Sequence, residues 1–344
     1  MTAGLAPGRF FSVTSERTAP HDADAAQEPT RPMRRVMAIA LAVLLALLGA
    51  YAVLFYQNNR DVPPPDARSV SQSLERAIGW LDANRNTLVD DPNVILWWMV
   101  GQAAESTGDP RLVSLVQTYK ERNFPPQRSD VWTLLYNPSG WVPVGSKYLE
   151  GQDYYQKFFI YALTCDSKLA DIPDIAAQNN PDFCDRYPWK PACVTHQLLG
   201  FELLKRRGCG DQVALSSAVD KLQQRIRREL VLDPRVVDVY LQRVLLLVDT
   251  GASDLLKPVW IRRILDAQLA DGGWPAIQPL LSLGNNFAFG FGDKGIKVSD
   301  IHASYHATAQ GLLLMSLLDR QNRSSTAVGG RVKPEDQPRG AAIP

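Results

Sequence analysis

Residues 268–275 read Gln-Leu-Ala-Asp-Gly-Gly-Trp-Pro and close a helix candidate at residues 253–269. We predict that the helix ends near Leu269, because Asp and Gly favour turns and glycine adopts turn conformations at little steric cost. The indole of Trp274 can then fold back over the helix end, and Gln268 can reach the backbone groups exposed there. The segment therefore predicts a helix followed by a tight turn that a tryptophan covers.

Apolar residues also recur at helical spacing on both sides of this turn. Leu74, Ile78 and Leu81 follow one another at intervals of four and three, and no sustained alternating strand pattern is present. Further helix candidates are residues 111–121, 152–164, 195–207, 216–230 and 300–319. Two irregular segments, 137–151 and 275–299, are rich in Pro or Gly, and long loops of this kind are often functional. We predict an all-α fold.

The turn resembles the Gln-x-x-Asp-Gly-Gly-Trp hairpin of the α/α-toroid superfamily, which includes terpenoid cyclases, protein prenyltransferases and some polysaccharide lyases. In that superfamily, successive helical hairpins form an inner and an outer ring around a central cavity. The resemblance implies that residues 67–320 form an α/α toroid of helical hairpins with one cavity.

The segment after the turn is also similar to protein prenyltransferase β-subunits. Those proteins carry a basic, glycine-containing loop, matched here by residues 293–300, and a helix start matched by the sequence Tyr-His-Ala-Thr at residues 305–308. By this resemblance His306 is a metal-facing position, with zinc as the candidate ion. Lys294 or Lys297 then faces an anion of the substrate.

Three of the four histidines, His196, His302 and His306, lie on predicted helices. His302 and His306 are four residues apart, so a helix would place both on one inward face. Asp300 could orient one imidazole, and we predict these four residues as the candidate catalytic set. Three interpretations stay open: hydrogen-bonded histidines of the core, a three-histidine zinc site, and metal-free acid–base catalysis.

Aromatic residues gather beside the two irregular segments. Tyr154 and Tyr155 follow the first, while Phe287, Phe289 and Phe291 alternate with small residues in the second. Aromatic rings are platforms for sugars or isoprenoid chains, so we predict substrate contacts for all five and a flexible lid for the Phe-rich segment. The tyrosines equally fit the core of a helix layer.

All four cysteines follow the apolar run described next, and an even count there favours disulfides in an oxidising compartment. Three pairings are open. We favour Cys184 with Cys193, which closes a short loop, and Cys165 with Cys209, which joins two helix ends. The rival is a Cys-x-x-His metal half-site at Cys193 and His196.

One apolar segment, residues 35–57, predicts a transmembrane helix. Residues 36–56 carry no charge and at about 1.5 Å per residue can cross a hydrocarbon core of roughly 30 Å. Arginines concentrate before the run, so the positive-inside rule predicts that residues 1–34 are cytoplasmic and that the domain after the run is periplasmic, anchored in the inner membrane. Residues 1–34 have almost no periodic apolar residues, which predicts a disordered tail. A cleaved signal peptide is the alternative. We predict a Pro-rich spacer at 58–66 and a second disordered tail at 321–344.

The 344-residue chain has 37 basic and 36 acidic side chains, so its formal net charge of +1 gives no electrostatic basis for nucleic-acid binding. Two function classes remain. The first is an envelope enzyme acting on a polymeric or lipid-linked substrate, with Asp300 or His306 in acid–base roles. The second is a non-catalytic binding or assembly factor that holds a glycan, a peptide or a partner protein.

Overall fold

A computed structural model describes residues 31–125 and 130–329 of the chain. It divides the chain into two compact units, Met1–Tyr51 and Ala52–Pro344. The described residues are mainly helical, and a small sheet is present in the second unit.

The α-helices are α1 (Arg31–Asn59), α2 (Ala67–Ala83), α3 (Arg85–Leu88), α4 (Val94–Thr107), α5 (Pro110–Asn123), α6 (Tyr154–Thr164), α7 (Ser167–Ala170), α8 (Pro173–Gln178), α9 (Cys193–Arg207), α10 (Gln212–Leu232), α11 (Asp238–Asp249), α12 (Pro258–Asp266) and α13 (Tyr305–Gly329). Short 3₁₀ helices cover Val131–Leu135, Ser146–Leu149, Phe183–Arg186 and Ser253–Leu255. The strands are β1 (Trp274–Pro275), β2 (Gln278–Gly284), β3 (Phe287–Gly292), β4 (Gly295–Asp300) and β5 (Ala303–Ser304).

Helix α1 contains the apolar run. Its stretch Arg35–Asn59 is long and apolar enough to cross a membrane, with a mean hydropathy of 2.6. The predicted apolar helix at residues 35–57 is therefore confirmed. Most of the predicted N-terminal tail lies outside the described residues.

The last residues of α1 belong to the second unit, where Asn58 is fully buried. The Asn58 side chain donates to the Leu230 carbonyl at 2.6 Å and accepts from the Tyr240 hydroxyl at 2.9 Å. The Asn58 carbonyl accepts from the indole N–H of Trp260 at 2.9 Å. Further along, Arg262 donates to the carbonyl of Pro63 at 2.7 Å. Residues 58–66, predicted as a spacer, are therefore held against the helical body by their own polar groups.

Helix α13 lies at the centre of the helical body, packed against α2, α4 and α11. Residues 312–315 along it are all buried, which is typical of a helix surrounded by others. The helix begins at Tyr305, later than the predicted start at residue 300, because the preceding residues pair as strands. It also runs past residue 320 to Gly329, so this part of the predicted C-terminal tail is helical. Residues 330–344 lie outside the described residues.

Strands β2, β3 and β4 form an antiparallel sheet in chain order, which corrects the all-α prediction for residues 278–300. Leu281 pairs with Phe289, and Phe289 pairs with Val298. The small residues between the phenylalanines occupy the covered face, where Ala288 is fully buried and a Cβ on Gly290 would collide with the backbone of Gln278. The segment predicted as a flexible lid therefore forms a sheet, in which Gly290 allows the close approach of β2.

The predicted turn that a tryptophan covers is present after α12, although this helix runs from Pro258 to Asp266 rather than over residues 253–269. Trp274 is fully buried, and its indole N–H donates to the carbonyl of Ile264 at 2.8 Å. The Gln268 amide donates to the carbonyls of Ser73 at 2.9 Å and Gly272 at 2.8 Å, so it joins the turn to α2. Gly272 has a φ of 102°, which L side chains rarely adopt.

Both disulfides have the favoured pairing. Cys165 is bonded to Cys209 and Cys184 to Cys193, and no described cysteine is free. Because Cys193 is bonded to another cysteine, it does not form a metal half-site with His196.

Candidate functional site

A cavity of about 590 Å³ lies within the helical body. Its walls come from α4, α5, α6, α9, α11, α13 and the Val131–Leu135 helix. The aromatic lining residues are Trp98, Tyr119, Phe124, Trp132, Tyr155 and Phe159, and the amide and carboxylate lining residues are Asn93, Asn123, Asp130, Gln156, Gln242 and Asp249. His196 and His306 also line it, so the cavity combines apolar ring faces with polar groups and two imidazoles.

His306 is hydrogen-bonded to a carboxylate at the cavity wall. His306 is the second residue of α13, Asp238 is the first residue of α11, and the packing of these helices brings Nδ1 within 2.5 Å of Asp238 Oδ1. Burial alone would lower the pKa of His306. The hydrogen bond to Asp238 and its negative charge outweigh burial, so the pKa is raised. A carboxylate on Nδ1 fixes the ring orientation and leaves Nε2 for exchange with a ligand.

A second carboxylate, Asp293, lies near this pair. It occupies the turn between β3 and β4, and its Oδ1 accepts a hydrogen bond from the backbone N–H of Val239 at 3.3 Å. Burial, together with the charge of Asp238, raises the pKa of Asp293. The sheet therefore adds a carboxylate to the surroundings of His306, whose positive form it favours.

His196 is held by aromatic rings. It stacks on Tyr155 with ring centroids 4.2 Å apart, and the edge of Phe159 meets it at 6.2 Å. Burial, assisted by the nearby charge of His306, lowers the pKa of His196 to about 4. At neutral pH His196 is therefore an uncharged imidazole, whereas the pKa of His306 moves in the opposite direction. Titratable groups with opposed pKa shifts in one cavity are typical of acid–base sites.

The structure brings together three of the predicted site residues: His196, His306 and Tyr155 line the cavity. Tyr154 lies behind the wall, edge-on to Tyr155 with centroids 5.7 Å apart. The prediction that His302 shares an inward helical face with His306 is wrong, because residue 302 lies between two strands and outside α13.

Asp300 and His302 instead pair with each other at the surface. The His302 Nδ1 and Asp300 Oδ2 atoms are 3.0 Å apart, with the two side chains 69% and 54% exposed. Neither residue lines the cavity. Within residues 31–125 and 130–329, no group of three or more His, Cys, Asp or Glu side chains could hold a metal ion.

The remaining predicted substrate contacts lie on the β2–β4 sheet. Phe287, Phe289 and Phe291 are on β3, Lys297 is on β4, and Lys294 is in the turn between them. None of the five is among the described residues that line the cavity.

Sequence reasoning missed Asp238, the partner of His306. The local signal was an acidic residue in the first turn of an apolar helix, a position that the helix dipole alone explains. Its imidazole partner is 68 residues away along the chain, and only helix packing joins them. Trp98, Tyr119 and Trp132 were missed for the same reason.

Comparisons of this chain with protein-family models, with curated proteins and with solved structures give no match. The geometry of the cavity is therefore the basis for a functional assignment.

Proposed function

We propose that this chain is a single-pass inner-membrane protein whose exported helical domain binds a neutral glycan in the cavity and acts on it by acid–base catalysis, with His306 as the proton-transferring group. The observation that carries the proposal is the 2.5 Å bond between His306 Nδ1 and Asp238 at the wall of an aromatic-lined cavity.

The location rests on α1 and on the cysteines. A single apolar helix of spanning length precedes the domain, and arginines precede its apolar run. Both disulfides lie beyond that helix, and disulfides persist in oxidising compartments. Together with the positive-inside rule, these features support a cytoplasmic N-terminus and a periplasmic domain.

The arrangement of helices supports the α/α toroid. Helices α4, α5, α6, α9, α11 and α13 all contribute cavity residues. Helices α2 and α10 contribute none and pack against α13 and α9. An inner set of helices around one cavity, backed by an outer set, is the layout that the toroid proposal requires.

The lining favours a sugar as the ligand class. Sugar rings present apolar C–H faces to aromatic side chains and hydroxyl groups to amides, and the cavity provides both. An isoprenoid chain would match the aromatic rings but could not accept hydrogen bonds from the amide N–H groups of Asn93, Gln156 and Gln242. Asp130 adds negative charge and so disfavours an acidic polysaccharide, whereas the charge of Asp249 is paired with Arg206.

The two imidazoles supply the chemistry. The raised pKa of His306 increases the fraction of this imidazole that carries a proton at neutral pH. The protonated ring can donate to the bridging oxygen of the glycan as the bond from that oxygen to the anomeric carbon breaks; water then adds to the anomeric carbon and returns a proton to the His306 imidazole. Asp238 positions the ring and stabilises its charged form. Neutral His196 can exchange hydrogen bonds with the ligand but does not compete for the proton.

Non-catalytic glycan binding is the second candidate, and one observation favours it. The lining carboxylates already have partners: Asp249 accepts from Arg206 at 2.7 Å, and Asp130 accepts from the backbone N–H of Trp132 at 3.1 Å. A glycosidase usually needs a pair of available carboxyl groups.

The test uses the full chain in lipid nanodiscs with a panel of cello-, chito-, xylo- and malto-oligosaccharides. Binding is measured by calorimetry, and turnover by the release of reducing ends. We expect at least one oligosaccharide to bind and His306→Gln to lower turnover by about 100-fold or more while binding changes little. His302→Gln, a surface histidine, is the matched control and should leave both unchanged. Binding without turnover would support the second candidate, and absence of binding to the whole panel would refute the glycan proposal.

A further inference from the structure

One face of the β2–β4 sheet is apolar and exposed, and we refer to it as the apolar sheet face. Its residues are Leu281, Leu283, Phe287, Phe289, Ile296 and Val298, each between 38% and 61% exposed. Leu281, Phe289 and Val298 form one row across all three strands, and Phe291 pairs with Ile296 in the next. Contiguous apolar surface of this kind marks an interaction site, whereas isolated surface leucines do not.

The first strand of this sheet, β2, and the end of α1 both contact the same short segment, residues 233–240. On one side, Arg263 donates to the carbonyl of Pro234 at 2.6 Å and also bonds to the Asn58 side chain. On the other side, the backbone N–H of Val236 donates to the Gln278 side chain of β2 at 2.7 Å. The sheet therefore starts close to the point where α1 enters the body.

Asn58 fixes how far the body can lie from the end of the apolar run. The run ends at residue 56, and Asn58 is already buried in the body. If α1 crosses a membrane, no free linker separates the bilayer surface from the residues around Asn58. The sheet, whose first strand is bonded to the same segment as the residues around Asn58, is then within reach of lipid.

We propose that the apolar sheet face inserts into the interfacial zone of the bilayer that α1 crosses, so that the domain has a second membrane contact. This inference rests on the membrane anchoring in the proposed function. The chemistry fits a lipid surface: Leu, Ile, Val and Phe side chains enter the acyl boundary, and the exposed Lys294 in the turn between β3 and β4 can pair with anionic headgroup phosphates.

The test measures lipid contact at single labelled cysteines in the full chain. Because none of the described cysteines is free, an introduced cysteine is a specific label site. A bimane fluorophore is placed by Phe289→Cys or Val298→Cys in vesicles of phosphatidylcholine and phosphatidylglycerol, and quenching by lipids with a nitroxide on the acyl chain is recorded. Leu45→Cys in α1 reports the span. Val213→Cys is the matched control, because it is an exposed apolar residue in the first turn of α10, whereas Leu230 at the far end of α10 contacts Asn58.

We expect strong quenching at residue 45, quenching at residues 289 and 298 several-fold above that at 213, and weaker quenching at 289 when phosphatidylglycerol is omitted. Quenching at 45 with none at 289 or 298 would overturn this inference and leave the membrane anchor intact. If the label at 289 is shielded from water but not quenched, and the chain is a dimer, a second copy covers the face and the inference is also wrong. Absence of quenching at 45 would refute the anchor itself.

Discussion

The contact between Trp274 and Gly311 gives a prediction with a calculable size. A Cβ added at Gly311 would lie 2.5 Å from Cε3 and 2.6 Å from Cζ3 of the fully buried indole. Overpacking of this kind in a rigid core costs about 1–3 kcal/mol. Removing the indole by Trp274→Ala costs about 3–5 kcal/mol, because it leaves a large cavity.

The double variant Gly311→Ala/Trp274→Ala separates this contact from general damage. If the two substitutions acted independently, their costs would sum to about 4–8 kcal/mol. Once the indole is gone, however, the new methyl group has no ring to collide with and fills part of the cavity. We therefore expect the double variant to cost about 3–5 kcal/mol, which is a coupling of about 1–3 kcal/mol.

Urea unfolding of the full chain in mild detergent, followed by circular dichroism, measures the four free energies of the cycle. Gly79→Ala is the matched control, because Gly79 lies on helix α2 with nothing within 4 Å of the added Cβ. It should stabilise the chain by about 0.5–1 kcal/mol through helix propensity alone. Additivity of the Gly311 and Trp274 costs within about 0.5 kcal/mol, or a gain at Gly311 equal to that at Gly79, would refute the packing described here.

Three other buried features give further expected outcomes. Serine substitution of the Cys165–Cys209 pair should lower the free energy of unfolding by about 4 kcal/mol, against about 3 kcal/mol for the Cys184–Cys193 pair, because the sequence separations are 44 and 9 and a longer loop gains more from closure. A larger loss for the Cys184–Cys193 pair in urea unfolding would contradict this reasoning. The pKa of His196 falls from 6.5 to about 4 on folding, so only the unfolded chain binds this proton between those values. The free energy of unfolding should therefore decrease by at most about 3 kcal/mol as pH falls through that window, and the His196→Phe variant should lose this dependence. Equal slopes of unfolding free energy against pH in the two proteins would contradict the prediction. Arg243→Met removes the buried partner that Glu229 and Asp233 share and leaves them only Arg225 and Arg235, so it should cost up to about 3–5 kcal/mol. Arg122→Met at the surface should cost about 1 kcal/mol or less, and similar losses of stability for the two variants would show that burial is not the cause.

The features predicted correctly from sequence are those with a local cause. The turn at residues 268–275 needs only Asp, Gly and Trp at adjacent positions, and α1 needs only an uncharged run. The disulfide pairing followed from one short loop and two helix ends. In each of these cases, the residues that determine the structure are neighbours in the chain or, like cysteine, form a bond that no other residue type forms.

The sheet was missed because its strands lack the usual signal. The sequence of strand β2 does not alternate between apolar and polar residues. Its burial does not alternate either, because nearly all of the strand is exposed and its pairing with β3 is irregular. Strand β3 does alternate, but its glycines favour a loop prediction, whereas Gly290 is required by the nearby backbone of Gln278. The exposed apolar side chains of the sheet gave a false indication of cavity contacts.

The two histidines of the candidate site could be predicted, because histidines are rare in this chain and two of them line the cavity. The pairing of His306 with Asp238 could not be predicted, since it depends on how α11 and α13 pack. The error at His302 has the same origin: a helical phase was extended across residues that hydrogen bonding to a distant strand holds in β conformation.

The central position of α13 has a consequence for biosynthesis. The ribosome makes α2 early and α13 late, yet the two helices pack together, and Gln268 bonds to Ser73 across 195 residues of sequence. Long-range closure of this kind is slow, and a nascent chain must wait with its apolar helix faces uncovered. A chain truncated before residue 305 should therefore be a substrate for chaperones and proteases rather than a stable smaller domain.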